Sequence, residues 1–234
     1  MSINITFISD THELHNLLTN ELPGGDIIVH TGDFSNGEED PNDMRPLKQF
    51  LSWFSLLPYA HKIFIAGNHD FSIQAESFGR DALIRDLLQQ FNVVYLNGKS
   101  HTVHINEQQI KFYGVPFVTN LQGWAFFVDD RMHEQTASEI QTCDVLLTHD
   151  VPYHSKSLLN KVFEMKPRIH AFGHMHEHAG VIIKEGITFI NGAQLGFPVY
   201  NHIYKPIRVN IDQNKVQIVN NNEVKIWDEF PTTQ

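Results

Sequence analysis

The sequence predicts a layered α/β fold, and three observations carry the prediction. Short apolar runs of strand character alternate with stretches whose leucines recur at helical spacing. Four of those runs stop at His, Asp, Asn or Gly, and strand ends are where α/β proteins bind ligands. A hydrophobic fraction of 41% over 234 residues can fill a sizeable core, and a charged fraction of 19% is too low for a disordered chain. The length suits one domain, residues 1–234.

Taken in order, Ile3 to Ile8 reads as a strand ending at Ser9-Asp10. Leu14, Leu17 and Leu18 mark a short helix. After the Pro23-Gly24-Gly25 turn, Ile27-Ile28-Val29 forms a strand ending at His30-Thr31-Gly32-Asp33. Residues 34–43 are acidic and loop-like. A helix starts near Pro46, with Leu47, Phe50, Leu51 and Phe54 on one face. The strand Lys62 to Ile65 stops at Ala66-Gly67 and delivers Asn68-His69-Asp70. Leu83, Ile84, Leu87 and Leu88 mark another helix, followed by a strand at Val93 to Tyr95. Thr102 to Ile105 and Gln109 to Tyr113 form a hairpin around Asn106-Glu107. The aromatic stretch 114–130, with Trp124, Phe126 and Phe127, is expected as a packed loop near the site. Val145 to Leu147 is a strand ending at Thr148-His149-Asp150. A helix over Leu158, Leu159, Val162 and Phe163 stops before Pro167. Ile169 to Phe172 is a strand ending at Gly173-His174-Met175-His176. Strands follow at 181–183, 187–190, 207–209 and 216–219, and residues 229–234 are expected as a frayed tail.

Composition narrows the function. A net charge of −10 argues against strong nucleic-acid binding, which needs Lys and Arg on phosphates. Cys143 is the single cysteine, so no intrachain disulfide forms, and it is expected as an inert thiol. With no basic, apolar leader and no run long enough to span a bilayer, a soluble cytoplasmic protein without a membrane partner is expected. The sequence leaves the oligomeric state open, a homodimer included.

The strand ends gather metal-binding chemistry. In Asp10-x-His12 both side chains lie on one side of an extended segment, so two ligands can chelate one cation. His174-x-His176 repeats the spacing, and Gly173 leaves room for close backbone approach. Asp33, Asn68, His69 and His149 complete the set. Carboxylate, imidazole and amide oxygen together suit manganese, with iron or zinc as alternatives. Singly, each piece is ordinary: a lone Asp-x-His is usually a solvated loop, and a lone His after a strand is usually just hydrogen-bonded. The ordered set is what is specific.

That ordered set, Asp10-x-His12, Gly32-Asp33, Gly67-Asn68-His69-Asp70, His149 and Gly173-His174-x-His176, resembles the calcineurin-like metallophosphoesterase superfamily. Phe112 to Pro116, Trp124-Ala125-Phe126, Leu147-Thr148-His149, Lys166-Pro167 and His170 to Glu177 further resemble its small metallophosphoesterase-domain-containing, fetal-brain-protein-like subgroup. The resemblance implies a β-sandwich of mixed sheets flanked by helices. It implies two divalent metal ions, one held by Asp10, His12, Asp33 and His176, the other by Asp33, Asn68, His149 and His174. His69 is implied as proton donor to the leaving group, oriented by Asp70. Superfamily members often carry an acidic residue three positions after the bridging Asp, and here that residue is Asn36. Some subgroup members lack the last ligand, whereas His176 is present here.

The expected reaction is hydrolysis of small phosphodiesters, cyclic nucleotides among them, by a metal-bridging hydroxide. Two divalent cations against two carboxylates leave the site positive enough to hold a phosphate. The ligand blocks carry no Arg to clamp a dianionic monoester. Tyr113, Asn36, Arg131 and His178 are further pocket candidates, each with a structural or surface role as the plainer reading. The rival readings are a phosphomonoesterase or nuclease of the same fold, a zinc hydrolase of the metallo-β-lactamase type, and a non-catalytic metal-binding scaffold. The β-lactamase reading leaves Asp10-x-His12 and Asn68-His69-Asp70 unexplained.

Overall fold

In the computed structural model, residues 2–37, 40, 43–74, 80–196, 203–213, 215–220 and 222–231 are described. Parts of the expected acidic loop, and residues 232–234 of the expected tail, lie outside them. The first apolar runs become β1 (Ile3–Ile8), β2 (Gly25–Thr31) and β3 (Tyr59–Ile65), which run parallel side by side. β4 (Val94–Tyr95) joins the β3 edge in parallel. On the other side β11 (Ile207–Ile211) pairs antiparallel with β1, and β12 (Val216–Ile218) with β11.

The second sheet runs β13 (Ile226–Trp227), β9 (Gly180–Lys184), β10 (Ile187–Asn191), β8 (Ile169–Phe172), β7 (Val145–Thr148), β6 (Gln108–Val115), β5 (Lys99–Ile105). β10, β8, β7 and β6 are mutually parallel, and β5–β6 is the predicted hairpin. Its turn residues Asn106 and Glu107 both adopt positive φ, as a two-residue hairpin turn requires.

The sheets face each other over one shared core. Ile3, Ile5 and Phe7 of β1 and Ile27 and Val29 of β2 pack with Val145, Leu147, Ile169 and Ala171. The alternate side chains, such as Ile28 and Phe64, turn outward to helices. Strands covered on both faces read as unbroken apolar runs, as these do. Outside the first sheet lies α1 (Arg45–Leu56), opened by Pro46, whose fixed φ suits a first turn. Its Phe50 stacks on Phe34 at 4.5 Å and meets Phe64 edge-on at 5.3 Å. Phe34 follows Asp33 directly, so this aromatic contact anchors the loop that leaves β2. α2 (Asp81–Phe91) buries Ile84 and Leu87 on the same layer. Outside the second sheet, α4 (Lys156–Met165) sets Leu158 and Val162 against Leu146, Phe172 and Phe189. The mixed-sheet α/β sandwich flanked by helices is the predicted class.

Three local expectations are corrected. Leu14 to Leu18 gives a 3-10 turn over His15–Glu21, because only Leu18 finds a buried partner while Leu14 and Leu17 stay exposed. α3 (Asp130–Glu139) begins where the expected loop ends; it buries only His133 and Ala137, so it carries almost no apolar period. It starts because the Asp129 carboxylate caps Met132 N–H at 2.8 Å. The tail is fastened as far as Phe230, whose ring packs on Phe189 at 5.0 Å and Tyr153 at 5.6 Å. Cys143 lies in the outer core of the second sheet, where burial pushes its thiol up to about 12. Among the described residues, no helix is long and apolar enough to cross a membrane.

Candidate metal centre

The carboxyl ends of β1, β2 and β3 in one sheet meet those of β7 and β8 in the other. Backbone hydrogen bonds lock the meeting point. Asp10 N–H donates to Gly32 O at 2.9 Å, Thr11 N–H to Asp33 O at 2.9 Å, and Gly173 N–H to His149 O at 3.1 Å. Gln194 N–H reaches from the second sheet to Ser9 O at 3.0 Å. The chain turns sharply here. Asp10, His12, Asp33 and His174 all adopt positive φ, between 40° and 69°, which side chains with a Cβ rarely tolerate. Such strain persists only where the surroundings over-determine it, and it clusters at functional sites. Gly67 and Gly173 sit where a Cβ would collide with the Asp33 and Asp10 carboxylates respectively.

The expected metal ligands, His69 and Asp70 converge here. Asp10, His12, Asp33, Asn68, Asp70, His149 and His176 are each at most 6% exposed. The His69 side chain is 21% exposed, and His174 is likewise half-buried. Asp33 Oδ2 lies 3.2 Å from His149 Nε2 and 4.0 Å from both His12 Nε2 and His69 Nε2. Asp10 Oδ1 lies 3.4 Å from His176 Nε2. Asn68 Oδ1 lies 3.0 Å from His149 Nε2 and 3.0 Å from His174 Nδ1.

The tautomers follow from the outer nitrogens. His12 Nδ1 faces Ser35 O at 3.0 Å, His149 Nδ1 faces Thr31 O at 2.8 Å, and His176 Nδ1 faces Leu195 O at 2.7 Å. A carbonyl can only accept, so each Nδ1 carries a proton, and in the neutral ring each Nε2 turns a lone pair inward. His12 Nε2 and His176 Nε2 face each other at 3.2 Å. Asp33 and Asn68 add further acceptor oxygens. A buried set with so many lone pairs and so few donors fits divalent cations. Two groups of ligand atoms, Asp10-His12-His176 and Asp33-His149-His174, lie each within 4.8 Å, and Asp33 also joins His12 and His69.

Without cations, protons take their place. Burial alone would lower His149, but the Asp33 carboxylate overrides it and holds the imidazole up at about 10. Burial likewise opposes ionisation of Asp33 and Asp10, yet His149 and His176 hold those carboxyls well below the usual range. Burial pushes His12 and His174 down, to the neutral form that ligates metal.

One expected role is corrected. Asp70 does not orient His69. It accepts from Gly67 N–H at 2.7 Å, Asp33 N–H at 2.9 Å and Ser35 N–H at 3.0 Å, so it knots the β2 and β3 loops together. Burial and the Asp33 charge push its carboxyl up against those donors. The group that orients His69 is the backbone carbonyl of Asn36, 2.9 Å from Nδ1. Sequence reasoning also missed Asp150 and His154, whose Oδ1 and Nδ1 lie 3.0 Å apart beside His174. Their signal was a carboxylate four residues before a histidine, just past the end of a strand already assigned to the site. Of the remaining pocket candidates, Tyr113 belongs to the outer core and His178 Nδ1 faces Tyr153 Oη at 2.7 Å.

Comparison with known proteins bears on the family and the fold. The family described as Calcineurin-like phosphoesterase matches residues 3–178. A UPF0046 protein of Caenorhabditis elegans is 32% identical over 225 residues, covering 82% of this chain and 75% of that protein. Metallophosphoesterase domain-containing protein 1 of Homo sapiens is 26% identical over 234 residues, covering 87% and 69%. Among solved structures, TT1561 of Thermus thermophilus superposes with a TM-score of 0.61 at 11% identity, over 93% of this chain and 98% of that one. At that identity the likeness is one of fold.

Proposed function

This chain belongs to the calcineurin-like phosphoesterase family, and from that premise we propose that it is a two-metal phosphodiesterase in which His69 protonates the leaving group. The observation that carries the reading is the shared carboxylate: Asp33 belongs both to the group with His149 and His174 and to the group with His12 and His69. Asp10, His12, Asp33 and His176 would hold one cation, and Asp33, Asn68, His149 and His174 the other. Bound there, the pair supplies Lewis acidity and hydroxide at neutral pH, manganese being our first choice.

The chain's own residues do the rest. The Asn36 carbonyl fixes the proton on His69 Nδ1, so Nε2 is the nitrogen turned to the centre, 4.0 Å from Asp33 Oδ2. Asp33 Oδ1 accepts from His69 N–H at 2.8 Å, which ties the donor's backbone to the shared ligand. A protonated Nε2 can then give its proton to the departing oxygen as the phosphorus–oxygen bond breaks. Small diesters are favoured because no Arg or Lys occurs in the segments 9–13, 31–36, 66–71, 148–151 and 172–178 to clamp a dianion. The core shared by both sheets supports reading residues 1–234 as one domain.

The test is turnover of aryl and alkyl diesters and of matched monoesters with added Mn²⁺. Wild-type protein is expected to prefer diesters. His69→Ala is expected to keep its metal and lose roughly 10²–10⁴-fold in rate, the range for a positioned acid, most severely on poor leaving groups. Full activity of that variant on an alkyl ester would remove His69 from the mechanism. Metal binding without any turnover would favour the scaffold reading.

A further inference from the structure

We propose that Trp124 is the surface on which the leaving alcohol packs, so that the preferred ester carries a flat aromatic group on its departing side. This rests on His69 being the proton donor. The indole lies 4.5 Å from the His69 imidazole, tilted by 52°. It is 40% exposed, whereas its neighbours Ala125 and Phe126 are 0% and 5% exposed. The ring therefore stands out from a fixed base. Ala125 N–H donates to Asn68 O at 3.1 Å, Trp124 N–H to Leu121 O at 3.0 Å, and Val118 N–H to Phe126 O at 3.1 Å. The loop is thus pinned to a residue of the metal centre itself, and a pre-organised contact loses little on binding.

Gly37 packs closely beside the two rings. A Cβ there would come within 3.2 Å of His69 Nδ1 and 3.4 Å of the indole. Phe71 extends the aromatic surface, 6.4 Å from Trp124. A proton donor must come within hydrogen-bond reach of the oxygen it serves. The first atoms beyond that oxygen then pass along the indole. An aromatic group there gains stacking that a saturated group of equal size does not, worth roughly 2- to 12-fold in affinity.

The experiment compares methyl benzyl phosphate with methyl cyclohexylmethyl phosphate. Their departing alcohols are alike in size and acidity and differ in flatness. With Mn²⁺-loaded wild-type protein, kcat/KM is expected to favour the benzyl ester by roughly 2- to 12-fold. Trp124→Leu should bring that ratio to near one, and Trp124→Phe should restore part of it. If both esters fall together and the ratio survives in Trp124→Leu, the indole merely props His69 and the proposal is overturned. Indole emission, read immediately after mixing with each diester, gives an answer independent of turnover. A change that is larger for the benzyl ester, and lost in Trp124→Leu, supports the platform. Equal responses, or none, overturn it. If wild-type protein hydrolyses neither ester, the phosphodiesterase reading falls, and the emission result alone decides whether Trp124 binds flat groups.

Discussion

Asp33 divides its two oxygens between different tasks. Oδ1 accepts the His69 N–H at 2.8 Å, while Oδ2 looks toward the imidazoles of His12, His69 and His149. No other carboxylate among the described residues joins two of the candidate ligand groups around the centre. Asp33→Asn is therefore expected to lose both cations together, as read by elemental analysis of the purified variant. Normal metal content would show that Asp33 is not shared. At this scale the sequence was informative wherever function depends on a side chain. The spacing of Asp10 and His12, or of His174 and His176, pointed to those residues only as parts of the ordered set. The sequence offered Asn36 only as a pocket candidate and as the place of a missing acidic residue, because the atom that orients His69 is a main-chain oxygen that any residue could supply. It misled at Asp70, because adjacency to His69 in the chain did not become adjacency of their side chains. The turn after Gly67 sends that carboxylate back to backbone N–H groups instead.

Elements were legible in proportion to their burial. Strands covered on both faces announce themselves as apolar runs, so β1, β2, β3, β7 and β8 could be read directly. α1 was readable because four apolar residues share its inner face. α3 was not, since a helix that buries one histidine and one alanine leaves no periodic trace. The close approach of elements was legible only at glycine. Gly173 ends β8 where a Cβ would run into Ser9 Oγ and Asp10 Oδ2 at the end of β1. Gly173→Ala must push the two strand ends apart. Overpacking of this kind costs about 1–3 kcal/mol, or roughly 2–12 °C in melting temperature for a chain of this size. Metal content should fall as well, because Asp10 is the group displaced. A variant that melts and loads like wild type would place the strand ends further apart than described.

Across the whole molecule, each sheet supplies half of a site that neither could build alone. Cations bound there would join the two sheets, so that loading and stability would be linked. The pH dependence has a definite sign. The folded-state pKa of His149, about 10, lies above its ordinary value of 6.5. The stabilisation from its pairing with Asp33 is therefore complete below about pH 6.5 and is lost as pH rises toward 10. Asp10 and Asp33 are shifted down, so their contribution is present above about pH 4 and is lost in acid. Chelator-treated protein is expected to lose melting temperature from pH 6.5 to 10. Mn²⁺-loaded protein should melt higher, by an amount worth ~3 kcal/mol at a hundredfold excess over the dissociation constant, and with a flatter profile. Identical profiles with and without chelator would mean that no cation bridges the sheets.

The pairing of β1 with β11, from Ile3 opposite Ile211 to Phe7 opposite Ile207, has a consequence for biosynthesis. A ribosome releases β1 well before β11, some two hundred residues later in the chain. Until the late strand emerges, a nascent chain carries one uncovered rim beside Ile3, Ile5 and Phe7, the kind of edge that recruits foreign strands. Chaperone demand should therefore persist until β11 has emerged.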